Sequence, residues 1–219
     1  KKKIQNFFKF LIYKLFQVIY GKILFDLNFS KDSRVKIFTV NFEENIRYKI
    51  FKVYKGRLYT DRIQDTAIIL DNTLIDGPSH QLRPFNNASI KNNIVLTKGT
   101  PRFKKKIKGT VLSLLTGGAG NNNFFHWLFD VLPRIGIYEK HFNLDDVDYF
   151  LIPSLEKKFQ QETLHMIGIN KNKLLSSKNY RHISTDKLVV TDHPYCINND
   201  AVNDIQNVPI WISIWLKEK

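Results

Sequence analysis

The chain has 219 residues, 43% hydrophobic and 25% charged, which suits a folded domain with a sizeable core and excludes a disordered chain. A single cysteine, Cys196, excludes a disulfide framework and a zinc site built on several thiolates, and it fits a reducing compartment. No run reaches the roughly 18 apolar residues of a membrane span, and the formal charge of +14 is concentrated: residues 1–36 carry +7, residues 98–108 carry +6, and the remainder +1.

In chain order, residues 3–20 read as an amphipathic helix within a basic segment, residues 1–27. At about 100° per residue, Ile4, Phe8, Leu11, Ile12, Leu15, Phe16, Val18 and Ile19 share one broad face, with Lys3, Lys9 and Lys14 largely opposite. A wide apolar stripe beside lysines is the pattern of a helix lying in an anionic membrane surface. Short strand-like runs follow. Residues 35–40 alternate apolar and polar, and 50–54 and 57–59 flank Lys55-Gly56, suggesting a hairpin. Residues 66–70 end at the turn signal Asp71-Asn72, and 94–96 form a brief strand candidate. The second basic run, Arg102 to Lys108, is bracketed by Pro101 and Gly109 and reads as a solvated loop or edge. Lysine outnumbers arginine 26 to 8, which counts against a nucleic-acid partner, because bidentate base reading favours arginine.

From residue 111 the pattern becomes α/β. Residues 111–115 and 149–152 are continuous apolar runs of the kind buried strands show, 156–167 reads as a helix stopping at Gly168, and 188–190 is a third strand. A last helix starts at Val208-Pro209, and its apolar residues Ile210, Trp211, Ile214, Trp215 and Leu216 need a partner face. Strands separated by helices predict a largely parallel sheet and an α/β fold.

Candidate chemistry lies between the first two buried strands. Gly117, Gly118 and Gly120 form a glycine-rich turn before a helix start, so free N–H groups can face an anion, although neither standard nucleotide fingerprint is present. Beyond it, His126 and Asp130 are four residues apart on one helical face, Asn122 and Asn123 precede them, and Pro133 leaves Arg134 at the rim. An imidazole and a carboxylate so placed suit proton removal from a hydroxyl, and arginine suits a developing anion. An equally available reading is that His126 merely ties the helix to Asp130. Asp146-Val147-Asp148 spells a very short cation-binding pattern, and His141, His165, His182 and His193 lack metal-ligand spacing, so no metal site is assigned.

The run NNNFFHWLFDVLPR resembles the motif of glycosyltransferase family 61, matching it at Asn123, Phe124, His126, Trp127, Asp130, Leu132, Pro133 and Arg134. The resemblance covers about residues 55–219. It implies an inverting, nucleotide-sugar-dependent glycosyltransferase of the capsular polysaccharide type, with a GT-B architecture and no metal cofactor. In that light residues 28–219 are expected to be the Rossmann-like, acceptor-side N-terminal lobe, truncated before the donor-binding lobe and preceded by the basic helix and a strand-rich segment. The resemblance makes Asp130 and His126 the expected catalytic pair. Asn122, Asn123, Arg134, Gly117, Gly118 and Gly120 become the expected substrate contacts. The expected partners are a nucleotide sugar, a glycan or other hydroxyl acceptor and an anionic membrane surface. The expected location is the cytoplasmic face of a bacterial membrane. The competing expectation is a non-catalytic basic module binding anionic lipid or polysaccharide.

Overall fold

A computed structural model describes residues 2–26, 32–43, 46–79, 81–83, 86–117, 119–196 and 201–219. The chain opens with helix α1 (Lys2–Tyr20), then strands β1 (Leu24–Phe25), β2 (Val35–Glu43), β3 (Ile46–Tyr54), β4 (Arg57–Thr60), β5 (Thr66–Leu70) and β6 (Thr73–Leu74). A small hairpin, β7 (Gln81–Arg83) with β8 (Asn86–Ser89), and the one-turn helix α2 (Val95–Lys98) follow. The α/β half comprises β9 (Lys105–Ser113), α3 (Phe124–His126), α4 (Pro133–Glu139), β10 (Tyr149–Ile152), α5 (Lys158–Met166), β11 (Leu174–Ser176) and β12 (His182–Thr191). Two helices, α6 (Ala201–Asp204) and α7 (Ile210–Glu218), end it.

Among the described residues ten strands form one mixed sheet. The order β12-β9-β10-β11 is parallel throughout, as the α/β pattern predicts. The strand-rich half joins it antiparallel: β3 and β4 both pair with β12, β2 with β3, and β5 with β4 and β6. Successive residues of the central strands face different cores. Leu112, Phe150 and Val189 pack with Trp127, Tyr138 and Trp211 beneath the helices. Val111, Leu151 and Leu188 pack on the other side. Burial on both faces is the reason these strands are apolar at every position, without alternation.

The second core shows that the sheet packs on itself. Leu58, Ile68 and Ile183 from one half meet Phe51, Leu151 and Leu188 from the other. A crease separates the halves, and it runs through neighbouring strands at one level. Lys55 takes φ +54 where β3 gives way to β4, and Gly109 takes φ +90 within β9. The register of β12 slips between Thr185 and Lys187. Asp186 ties the three together, because its carbonyl accepts Lys55 N–H at 2.9 Å and its carboxylate accepts Gly109 N–H at 2.8 Å. Such bulges bend strands sharply. Gly109 has no substitute here, because a Cβ would stand 2.2 Å from the Asp148 carboxylate.

The structure corrects three expectations. Lys55-Gly56 makes no hairpin: β3 and β4 run in line along β12, and the turn residues supply the crease. Residues 94–96 are not a strand, for residues 95–98 coil into α2 after Asn93 accepts Val95 N–H. The last helix is not left without a partner. Trp211 and Trp215 pack over Gly136 of α4, Trp211 Nε1 donates to the Tyr48 hydroxyl at 3.0 Å, and only Ile210 and Ile214 face out. The second basic run does have an edge, because β10 meets β9 only from Val111 onward and leaves Lys105–Lys108 exposed on that side.

Helix α1 docks through its last turn. Phe16 is buried against Phe103, Gln17 donates to the Thr97 carbonyl at 3.4 Å, and the Tyr20 hydroxyl accepts Lys104 N–H at 2.9 Å. The rest of its apolar face is exposed, from Ile4 at 62% to Val18 at 84%. No described helix is long and apolar enough to cross a membrane.

Candidate active site

A cavity of about 820 Å³ opens at the carboxyl ends of β9 and β12. There the chain leaves β9 towards β10 on one side while β12 flanks β9 on the other, the place where open α/β sheets hold ligands. The floor comes from Ser113 and Thr191, and the half of the sheet beyond the crease supplies an opposing wall through Gln64, Thr66 and Pro78. His126, Asp130, Arg134 and Gly117 all reach this cavity.

Asn123 caps the helix that carries the first two, its side chain accepting His126 N–H at 3.2 Å. The helix then widens into a π turn over Trp127–Val131, closed by Leu132 N–H on the Trp127 carbonyl at 3.1 Å. Pro133 has no N–H to continue the regular ladder, and α4 restarts from it. Such π insertions recur at functional sites. Here the wide turn holds Asp130, which is 2% exposed.

Two imidazoles flank that carboxylate. Asp130 Oδ2 lies 2.9 Å from His126 Nδ1 and 3.7 Å from His193 Nε2. Burial alone would raise the Asp130 pKa, but hydrogen bonds from His126 and His193 outweigh it and hold the group at about 2. Its other oxygen, Oδ1, is buried with no hydrogen-bond partner, an acceptor left for a ligand. The same contact raises the His126 pKa against burial. Burial lowers that of His193, with Asp130 opposing. The Tyr195 hydroxyl is pushed up by burial and by the nearby Asp130 charge.

Backbone geometry fixes the His193 tautomer. Its Nδ1 accepts Cys196 N–H at 3.1 Å and Tyr195 N–H at 3.4 Å, so the neutral ring carries its proton on Nε2, facing Asp130. His126 is the converse: Nδ1 donates to the carboxylate, and its Nε2, without a described partner, keeps a lone pair for the cavity. Carboxylate, imidazole and open lone pair make a base poised to accept a hydroxyl proton.

The remaining expected contacts separate. Arg134 is buried, not at a rim; Nε donates to the Asp130 carbonyl at 2.9 Å and Nη1 to the Thr191 carbonyl at 3.0 Å, which ties the helix to the end of β12. Burial lowers its pKa to about 10. Nη2 has no partner among the described residues. Gly117 lines the cavity at φ +65, where a Cβ would lie 2.5 Å from the Gln64 carbonyl oxygen. Gly120 does not line it: its carbonyl accepts Gln160 Nε2 at 3.2 Å, and a Cβ would strike Val131 at 2.3 Å. Gly118 lies outside the described residues. Asn123 is occupied as a cap, and the exposed Asn122 is not among the lining residues. The glycine turn is therefore held by Gln160 and by Asn121 with Arg62, more a structural clasp than an open anion cradle.

His193, Tyr195, Arg47 and Lys49 enter the cavity without having been singled out by the sequence. For His193 a signal existed, its position just past the carboxyl end of a buried strand. Among the described residues no group of three His, Cys, Asp or Glu side chains is placed to hold a metal ion. Asp148 instead accepts Thr110 N–H at 2.7 Å. Compared with known proteins, the chain matches no family model, no curated protein and no solved structure.

Proposed function

We propose that the protein acts as an inverting glycosyltransferase of GT-B type at an anionic membrane surface, with the described residues forming the acceptor side of its site. The observation that carries this reading is the His126–Asp130 pair within the family-61-like motif, opening on a cavity at the carboxyl ends of two strands. In the proposed step His126 Nε2 takes the proton of an acceptor hydroxyl while that oxygen bonds to the anomeric carbon of a nucleotide sugar. The bond to the nucleoside diphosphate breaks, and the diphosphate leaves with the bonding pair. Asp130, held strongly acidic, is a poor proton acceptor itself. It orients the ring and balances the imidazolium that forms. Arg134 anchors the helix and offers Nη2 to anionic or sugar oxygens.

The membrane seat rests on α1. Its exposed apolar face continues into Phe103, 78% exposed and packed on Phe16, and lysines border both. The same surface favours the second reading, a non-catalytic lipid-binding module. A screen of nucleotide sugars with the protein separates the two. Release of a nucleoside diphosphate, abolished in Asp130→Asn, supports the enzyme. Vesicle binding without consumption of any donor supports the module.

A further inference from the structure

The cavity holds more positive charge than proton transfer needs. Arg47 and Lys49 are two apart on β3, so they share a face of the strand, and both line the cavity. Neither side chain has an ion pair or hydrogen bond among the described residues, although both belong to a concave site. Lys49 is fixed beside the reacting groups by its backbone: its N–H donates to the Asp192 carboxylate at 2.7 Å, and its carbonyl accepts Asp192 N–H at 3.0 Å. The next residue, His193, is the one that faces Asp130. Arg134 Nη2 adds a third donor deeper in. Asp130 and Asp192 offset two of these three charges, Asp192 from beside Lys49, whose N–H it accepts, so the lining keeps one positive charge in excess, placed towards Arg47 and Lys49.

Arg47 and Lys49 are exposed at the mouth of the cavity, and unpaired cations there raise the local concentration of anions and discriminate against neutral ligands. The opposite end presents the orphan Asp130 Oδ1 and His126 Nε2, which accept hydrogen bonds only from donors. We infer that the cavity takes a hydroxylated anion, with a hydroxyl at Asp130 and His126 and a carboxylate or phosphate against Arg47 and Lys49. This rests on the glycosyltransferase reading and narrows the acceptor to an acidic sugar or a sugar phosphate.

The test reads binding without turnover. Glucuronate, glucose 1-phosphate and glucose are titrated separately into the protein, following amide and imidazole NMR signals. At least one anion is expected to bind about tenfold tighter than glucose while shifting the His126 resonances; which anion does so separates the carboxylate from the phosphate source. In the double variant Arg47→Gln/Lys49→Gln this preference is expected to vanish, with glucose binding and thermal stability unchanged. Equal affinity for all three ligands, saturation by neither anion, or a preference surviving in the double variant would overturn the inference. A protein that transfers no sugar can still pass this test. A transferase indifferent to charge fails it alone.

Discussion

Helix α1 turns Ile4, Phe8, Leu15 and Val18 to solvent and meets the body through its C-terminal end, from Phe16 to Tyr20. The helix over residues 124–139 buries Trp127, Val131, Leu132 and Ile135 and is anchored at its start by the Asn123 cap and midway by Arg134. Both are rich in aromatic and aliphatic side chains, and what distinguishes them is the surrounding they match. The second has a sheet face to cover and a carboxylate to hold away from water. The first covers no such face, and lysines accompany an apolar stripe that stays exposed. Apolar content alone therefore does not say where a helix belongs.

The contrast can be broken most severely at the carboxylate. Asp130→Asn is expected to lower glycosyl transfer by about 10²–10⁴-fold, with unchanged circular dichroism. Full turnover in that variant would remove the pair from the mechanism. Next comes packing behind the motif. Gly120→Val puts a branched side chain where Val131 and Pro153 already stand, and a loss of about 1–3 kcal/mol in denaturant unfolding is expected. In α1, Leu11→Ser/Leu15→Ser is expected to weaken binding to anionic vesicles by about tenfold while leaving thermal unfolding nearly unchanged, because both side chains are exposed. Salt should weaken the same binding.

The smallest expected effect is on pH. His126 must be neutral to act, and its pKa is raised above 6.5 by Asp130, so activity should fall as pH drops through a value above 6.5. Stability runs in two directions. The His126 contribution is complete below pH 6.5 and is lost as pH rises through its raised value. That of Asp130 is complete above 3.8 and is lost as pH falls towards 2. An acid limb of the rate profile lying below that of a free imidazole would assign the proton to another group.

Much of the architecture was legible because periodicity survives wherever a segment meets one environment. The amphipathic helix, the buried strand β10 and helix α5 emerge near their expected bounds, whereas β9 starts at Lys105, six residues before the expected strand and inside the basic run read as a loop or edge. Asp130 and His126 were legible because four-residue spacing fixes a shared helical face. Lys55-Gly56 was misread because a hairpin and a crease call for the same residues, a positive φ next to glycine. Residues 94–96 are too few to carry a period. His193 was passed over although it follows the carboxyl end of a buried strand, because its partner Asp130 lies on another element and the spacing between them carries no pattern. The caps and clasps at Asn123 and Gly120 were mistaken for ligand contacts because a side-chain amide or a glycine serves either role.

The crease through Lys55, Gly109 and Asp186 makes the floor and one wall of the cavity two leaves of a single folded sheet. The gap between the leaves is governed from their spine, by residues that meet no ligand. Gly109 is not among the residues lining the cavity, and a side chain there would press on Asp148, so the bend between the leaves admits glycine for reasons of backbone geometry and not of ligand contact.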